Sequence, residues 1–330
     1  MALANVMKFL PPAIGRLLGQ LPHSMLTELE EIRVREGRPL EITHKGTYHF
    51  VDPEGNRTTD ADRAYRPNRE DCRWLLEMLT NHSVYSLEEE LKRGYITVTG
   101  GHRVGLSGKT VLEEGKVKHL REIASFNIRI AREVPGAAAP LLPKLADTAL
   151  GMLHHTLIIS PPQQGKTTLI RDIARLASSG YRDETGFALK AMKVGIVDER
   201  SEIAACIQGV PSFDVGPRTD VLDGCPKAEG MMMMIRAMSP DVIIVDEIGR
   251  PEDATAIHEA LHAGIRVVAT AHGHSVEDVR HRPMFRELVQ DQIFTRFVVL
   301  RRTFGIGRVY RIYDRDGRMI DSLIAREPHA

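Results

Sequence analysis

The chain has 330 residues, a length that predicts about two domains of ordinary size. Lys and Arg total 44, as do Asp and Glu, so the formal net charge is zero, and the composition is 42% hydrophobic and 27% charged. These values are typical of a folded globular protein. They argue against a disordered chain, a membrane-spanning bundle and a non-specific nucleic-acid binder, which needs a basic surface.

Three cysteines lie far apart in the chain, at Cys72, Cys206 and Cys225. They are too few for a disulfide framework and form no Cys-x-x-Cys pair for zinc, a pattern typical of a reducing compartment. The N-terminus reaches Pro11 and Pro12 before the apolar core of a secretory signal can form, and no apolar run approaches the roughly 18 residues that span a bilayer. The sequence therefore predicts a cytoplasmic protein, for which peripheral attachment to a membrane complex stays open.

The first 135 residues alternate helical and strand-like segments. Residues 26–34 fit a helix or a helix that enters a strand, and residues 73–80 fit an amphipathic helix. Residues 40–51 alternate enough for a hairpin, and residues 94–108 form two alternating runs in which Gly100 with Gly101 marks a second, tight hairpin. Residues 125–130 alternate as a further strand. We therefore predict a small N-terminal α+β domain over residues 1–135.

Pro and Ala dominate residues 135–143, which break the pattern and form a candidate hinge. Beyond this boundary come short apolar runs typical of strands buried on both faces, at residues 156–159, 194–197, 242–245 and 267–270. Each run is separated from the next by enough sequence for a helix. A parallel α/β sheet is therefore predicted for a second domain over residues 136–330.

The first of these strands leads into a glycine-containing loop and then a helical segment, which is the setting of a phosphate-binding P-loop. Backbone N–H groups of such a loop and the helix N-terminus hold phosphates, the lysine bridges the β- and γ-phosphates, and the following hydroxyl binds Mg²⁺. ATP and Mg²⁺ are therefore the expected cofactors. The predicted nucleotide-binding residues are Pro162, Gln163, Gln164, Gly165, Lys166, Thr167 and Thr168, with Thr167 as a metal ligand.

Ser160 stands where the P-loop pattern has its first glycine. If this position needs a positive φ, serine costs about 1 kcal/mol there. The expected consequence is weaker nucleotide binding, without its loss.

Two strands end in acidic residues, at the edge where open α/β sheets bind ligands. Asp246 is the second predicted metal residue, suited to hold Mg²⁺ either directly or from its second coordination sphere. Glu247 is suited to orient or deprotonate the attacking water. Glu199, after the strand at residues 194–197, is a second candidate for the base or for a metal contact. An exposed loop containing an Asp–Arg pair explains that second strand end almost as well.

A hydroxyl and an imidazole, those of Thr270 and His272, end another buried strand. This is a suitable place for a γ-phosphate sensor, although a strand-end histidine without a functional role fits the sequence equally well. Arginines also bind phosphates, and in oligomeric NTPases they often come from another domain or subunit. The candidates are Arg103, Arg129, Arg132, Arg236 and Arg250, although for each of them taken alone an ordinary surface salt bridge fits the sequence better.

Four motifs follow one another in an order that resembles the secretion ATPases of type II and type IV pilus machines. They are the P-loop, the Asp198-Glu199-x-x-Glu202 segment, residues 238–250 and Thr270-Ala271-His272. Residues 94–108, 127–133 and 218–227 resemble, more specifically, the stage III sporulation AA family of endospore-forming bacteria. The resemblance covers both predicted domains, from about residue 25 to residue 315.

The resemblance implies a RecA-like P-loop ATPase that forms a homo-oligomeric ring, expected to be hexameric, in the mother-cell cytoplasm. Its implied partners are membrane proteins of a secretion-like channel between mother cell and forespore. It also implies that residues 198–202 are the Asp box, residues 242–247 the Walker B motif and residues 270–272 the His box. Arg129, with Arg132 as a second candidate, would reach the nucleotide from the N-terminal domain.

The catalytic base stays open between Glu247 and Glu199. Asp246 stands where the secretion ATPases often carry Gly, so this strand end is closer to a general Walker B motif. We favour Glu247, with Lys166, Glu199, His272 and Arg129 as the other catalytic candidates.

Three functions fit the sequence. The first is an Mg²⁺-dependent ATPase motor. The second, favoured by Ser160, is a scaffold that binds ATP with negligible turnover. The third is a nucleic-acid-stimulated ATPase, which zero net charge and 5% aromatic content disfavour because few stacking platforms are present. No obligatory nucleic-acid partner is expected.

Overall fold

The structure, a computed structural model, describes residues 2–80, 91–92, 94–113, 115–131, 133–162, 164–303 and 307–325. Two compact units are present, residues 1–132 and residues 133–329. Within the described ranges, no helix is both long and apolar enough to cross a membrane.

The first unit is an antiparallel sheet covered by short helices. Its helices are α1 (Ala2–Met7), α2 (Pro12–Gly19), α3 (His23–Thr27) and α4 (Arg69–Leu79). Its strands are β1 (Leu29–Arg35), β2 (Glu41–His44), β3 (Thr47–Val51), β4 (Arg57–Thr58), β5 (Tyr95–Val98), β6 (His102–Glu113) and β7 (Lys116–Arg129), in the order β4-β3-β2-β1-β7-β6-β5. Alternating side chains such as Ile32 and Val34 enter the core, as the period of two along a strand requires.

Both predicted hairpins are present, since β2 pairs with β3 and β5 with β6 in antiparallel register. The segment at residues 26–34 is a helix that ends at Thr27, followed by strand β1. Helix α4 begins four residues before the predicted start at residue 73. The reason is a capping box, in which Asn68 and Asp71 accept hydrogen bonds from each other's backbone N–H groups.

The second unit is built on a mixed sheet with helices on both faces. Its helices are α5 (Leu142–Leu145), α6 (Lys166–Ser179), α7 (Lys227–Ala237), α8 (Pro251–His262), α9 (Val276–Arg280) and α10 (Pro283–Gln290). Its strands are β8 (Ala146–Asp147), β9 (Met152–Leu153), β10 (Thr156–Ser160), β11 (Tyr181–Arg182), β12 (Ala188–Leu189), β13 (Val194–Asp198), β14 (Thr219–Asp223), β15 (Val242–Val245), β16 (Arg266–His272), β17 (Arg296–Thr303), β18 (Gly307–Asp314) and β19 (Met319–Ala325).

The main sheet of this unit has the order β14-β13-β15-β16-β10-β17-β18-β19. The pairs from β14 through β17 are parallel. The four predicted runs are the inner strands β13, β15, β16 and β10, and β14 and β17 extend the parallel sheet on either side of them. Successive residues of β10 point into cores on opposite faces: Leu157 and Ile159 into one, Ile158 into the other. Strands β18 and β19 are antiparallel additions that a purely parallel sheet does not include. Only a few residues connect β17 to β18 and β18 to β19, too few for the crossover that a parallel pair needs.

Candidate nucleotide site

The predicted P-loop joins the end of β10 to helix α6, in the central part of the sheet. Gly165 immediately precedes the helix with φ +99°, a left-handed conformation that side-chain-bearing residues rarely adopt. Because the loop leaves the carboxyl end of β10, the helix N-terminus at Lys166 lies at that edge of the sheet. Unpaired N–H groups and the helix dipole favour a phosphate there.

Ser160 lies in the extended backbone of β10 and is fully buried. Its hydroxyl donates a hydrogen bond to the carbonyl of Pro161 over 2.8 Å. The backbone at this position is not left-handed, so the condition for the expected cost of about 1 kcal/mol is not met.

The Lys166 ammonium lies inside the loop. Its Nζ donates to the carbonyl oxygens of Ser160 at 3.1 Å and Pro161 at 3.0 Å, and it lies 3.2 Å from Nδ1 of His272. Burial lowers the pKa of Lys166, while the carboxylates of Asp246 and Glu247 act in the opposite direction. An anion bound at this position would therefore stabilise the ammonium.

Asp246 follows β15 and connects two hydroxyl groups. Thr167 Oγ1 donates to Oδ2 of Asp246 over 2.7 Å, and Thr270 Oγ1 donates to Oδ1. Burial raises the pKa of Asp246, and the two hydroxyl donors oppose that shift. The two predicted metal ligands are thus in direct contact, Thr167 from the start of α6 and Asp246 from just after the end of β15.

Glu247 has a left-handed backbone, with φ +52°, and its N–H donates to Thr270 Oγ1 over 2.8 Å. One carboxylate oxygen pairs with Arg200, and the other lies 2.9 Å from Nε2 of His272. Because the ammonium of Lys166 can only donate, Nδ1 of His272 accepts and Nε2–H donates to Glu247. His272 therefore joins the P-loop lysine to the favoured base.

The Glu199 carboxylate points to a different partner. It forms an ion pair with Lys227, the first residue of α7. Burial acts to raise the pKa of Glu199, but the hydrogen bond from Lys227 and nearby positive charges outweigh it, so the pKa is lowered. Glu199 thus lies at the same sheet edge as Glu247, with Lys227 as its ion-pair partner and the charge of Arg200 nearby.

Asp198, directly before Glu199, stabilises the loop that follows β13. Its carboxylate accepts hydrogen bonds from the N–H groups of Glu202, Ile203 and Ala204, each over 2.9 Å. The buried guanidinium of Arg171 donates to the carbonyls of Ile203 and Glu202. Together these bonds hold the loop after β13 in one conformation.

Burial raises the pKa of Asp198 to about 6. Between about pH 4 and about pH 6, the folded protein therefore holds a proton that the unfolded chain, with an aspartate pKa near 3.9, releases. This contribution to stability is complete below about pH 4 and is lost as the pH rises through about 6. We expect the free energy of unfolding of the parent, relative to Asp198→Asn, to fall by about 1 kcal/mol between about pH 5 and about pH 7.5.

Urea unfolding at several pH values measures this difference. Asp220→Asn is the matched control, because Asp220 lies exposed on the adjoining strand β14. A difference between parent and Asp198→Asn that stays flat, or that grows with pH, contradicts the assignment.

The remaining predicted residues are distributed as follows. Pro162, Gln164 and Thr168 lie in the loop and the first turn of α6, whereas Gln163 and Arg132 fall outside the described residues. Arg129 is exposed at the end of β7 in the first unit, opposite Arg103 and Glu31 in the sheet register. Arg236 and Arg250 are exposed on α7 and at the start of α8.

Arg200 and Arg308 contact the site and were not selected from the sequence. Arg200 pairs with Glu247, and the guanidinium of Arg308 lies beside Gly165. Arg200 carried one signal, its place directly after an acidic strand end. Arg308 carried none, since it belongs to the antiparallel hairpin that the apolar runs did not predict.

The chain is similar to known proteins over most of its length. A protein-family model described as "Sporulation stage III, protein AA" matches residues 3–320. The chain is 48% identical over 316 residues to Stage III sporulation protein AA of Bacillus subtilis, covering 96% of each chain.

Solved structures that share the fold include an ATPase and a pilus retraction motor. The Legionella pneumophila ATPase DotB superposes with a TM-score of 0.59 at 16% identity, covering 93% of this chain and 83% of that one. The pilus retraction motor PilT with bound ADP has a TM-score of 0.55 at 16% identity, covering 92% and 82%. These matches confirm the predicted RecA-like α/β P-loop fold.

Proposed function

Because the chain belongs to the sporulation stage III protein AA family, we propose that it is an Mg²⁺-dependent ATPase that powers a membrane-spanning secretion-like channel between mother cell and forespore. In this proposal, ATP hydrolysis drives assembly of the channel or transport through it. The fold supports an ATPase, since the structures that share it include an ATPase and a pilus retraction motor.

One observation carries the proposal: Thr167 and Asp246, 79 residues apart in the chain, are in hydrogen-bond contact beside the buried Lys166 ammonium. A hydroxyl and a carboxylate are the hard oxygen ligands that Mg²⁺ prefers, and it usually takes few protein ligands together with water and substrate phosphates. Across the described residues, no cluster of three or more His, Cys, Asp or Glu side chains offers an alternative metal site. The donor set therefore fits Mg²⁺ bound together with a nucleotide.

In this proposal each residue of the site has a separate role in hydrolysis. The P-loop N–H groups and Lys166 bind and orient the phosphates, and Thr167 and Asp246 hold Mg²⁺, which supplies positive charge against the charge that develops on the phosphates. Glu247 accepts the proton of the attacking water. His272, between Lys166 and Glu247, senses whether the lysine is bound to phosphate or to the imidazole, and it passes that difference to the base.

We further propose two domains, residues 1–135 and 136–330, arranged in a homo-oligomeric, hexameric ring. The ring lies in the mother-cell cytoplasm and docks on membrane proteins of the channel. Arg129 contributes positive charge to a nucleotide from the N-terminal domain, as arginines supplied by another domain or subunit do in other NTPases. Nucleic acid is not required in this arrangement.

The test is ATP hydrolysis by the purified protein with Mg²⁺, recorded together with the oligomeric state with and without nucleotide. We expect turnover above that of a Lys166→Ala control, its loss on chelation of Mg²⁺, and a nucleotide-dependent ring. ATP binding with turnover equal to the control, also after addition of the membrane partner, contradicts the motor and identifies a scaffold. Turnover that rises with single-stranded DNA or RNA and falls with salt contradicts the independence from nucleic acid.

A further inference from the structure

The C-terminal hairpin brings an arginine to the P-loop. Strand β17 runs parallel to β10, with Val299 opposite Ile159, and continues to Thr303 beyond the end of β10. Strand β18 returns beside it, and Arg308, opposite Arg302 near the start of β18, lies beyond the end of β10, on the side of the sheet where the loop follows. The Cζ and Nε atoms of Arg308 lie 3.4 Å from the point that a Cβ on Gly165 would occupy.

The guanidinium of Arg308 is incompletely paired. Its Nε is buried and has no hydrogen-bond partner. Arg308 forms a side-chain hydrogen bond with Tyr310, two residues along the same strand. Among the residues that the structure describes, none of the ion pairs involves Arg308. A buried donor on a charged group is costly without an acceptor, so this position is suited to an anion.

The position of the guanidinium agrees with that requirement. It lies beside Gly165, which immediately precedes helix α6, where unpaired N–H groups and the helix dipole already attract negative charge. A structural arginine gains nothing from a neighbouring helix N-terminus, because both are positive. A phosphate between them would be bound by both, and the planar guanidinium suits phosphate oxygens.

We propose that Arg308 binds a phosphate oxygen of the nucleotide held by the P-loop of the same chain. The inference rests on the proposed function, since it needs a nucleotide at this site. It assigns the C-terminal hairpin, β17 to β18, a part in nucleotide binding and makes Arg308 a binding residue that acts without a second subunit.

The experiment compares the parent with Arg308→Gln and Arg308→Lys. A fluorescent ADP analogue reports nucleotide binding, and displacement of it by inorganic tripolyphosphate reports phosphate binding without a base. For Arg308→Gln we expect both affinities to fall about 10- to 100-fold, the range for a hydrogen bond to a charged group. Arg308→Lys keeps the charge but loses the planar fork, so a smaller loss is expected.

The control is Arg311→Gln, the same change at an exposed position on β18. Its affinities should match those of the parent. Thermal unfolding without nucleotide separates binding from structure: Arg308→Gln should melt near the parent temperature and lose the stabilisation that ADP provides.

Three results overturn the inference. Unchanged affinities in Arg308→Gln mean that no phosphate contact exists. A loss for the ADP analogue with unchanged tripolyphosphate affinity means that Arg308 contacts the base or sugar. Parent binding indistinguishable from Lys166→Ala removes the proposed function and, with it, this inference, whereas the first two results leave the proposed function intact.

Discussion

We expect the Glu247→Gln variant to bind ATP like the parent and to hydrolyse it about 10²- to 10⁴-fold more slowly, the usual contribution of a general base. The amide keeps the shape of the side chain and an oxygen that can accept from Nε2–H of His272. It cannot accept the proton of the attacking water at neutral pH. Binding should persist, because Lys166, Thr167 and Asp246 are unchanged.

Single-turnover hydrolysis and equilibrium binding of ATP measure the two quantities separately. Glu199→Gln is the matched control, since it makes the same change at the neighbouring acidic strand end, where the carboxylate pairs with Lys227. That variant should retain turnover close to that of the parent. If Glu199→Gln stops hydrolysis and Glu247→Gln does not, the base is Glu199 and the assignment is wrong.

The second large effect is expected for Lys166→Ala, which should weaken nucleotide binding about 100-fold, because charge-assisted hydrogen bonds to the phosphates are lost. The ammonium is buried and its pKa is lowered by that burial. It is held by two carbonyls and an imidazole, all neutral groups. Negatively charged phosphates are therefore stronger partners than those it has in the structure.

Titration calorimetry with ADP and ATP tests this prediction, and circular dichroism shows whether the variant is folded. Lys190→Ala is the control, because Lys190 is an exposed lysine of the same unit. It should bind nucleotide as the parent does. A folded Lys166→Ala protein with parental affinity would contradict the assignment of residues 160–168 as the nucleotide-binding loop.

Local signals accounted for much of the fold. The strand, loop and helix around Gly165 could be read directly, because a buried apolar run, a left-handed glycine and a helix start each depend on a few adjacent residues. The two N-terminal hairpins followed from alternation and turn residues. The start of α4 was missed, since the Asn68 cap precedes the apolar residues by which the helix was found.

Less of the candidate site than of the fold could be predicted from the sequence. Parallel strands end at one edge, so the meeting of the ends of β10, β13, β15 and β16 could be expected from the order of the motifs. The pairing of side chains at that edge could not be predicted from the sequence. The sequence placed Glu247 and Glu199 at equivalent strand ends, and only the structure separates them, through Arg200 and His272 for one and Lys227 for the other.

The sequence by itself determined the class of fold, the position of the P-loop and the acidic strand ends, because each is encoded by neighbouring residues with a fixed periodicity or backbone requirement. Only the tertiary structure decided the contacts of Asp246 with Thr167, of His272 with Lys166 and of Arg308 with Gly165. Those contacts join residues from 79 to 143 positions apart. They depend on strand order, on register and on an antiparallel hairpin, which are set by packing across the whole sheet rather than by any local pattern.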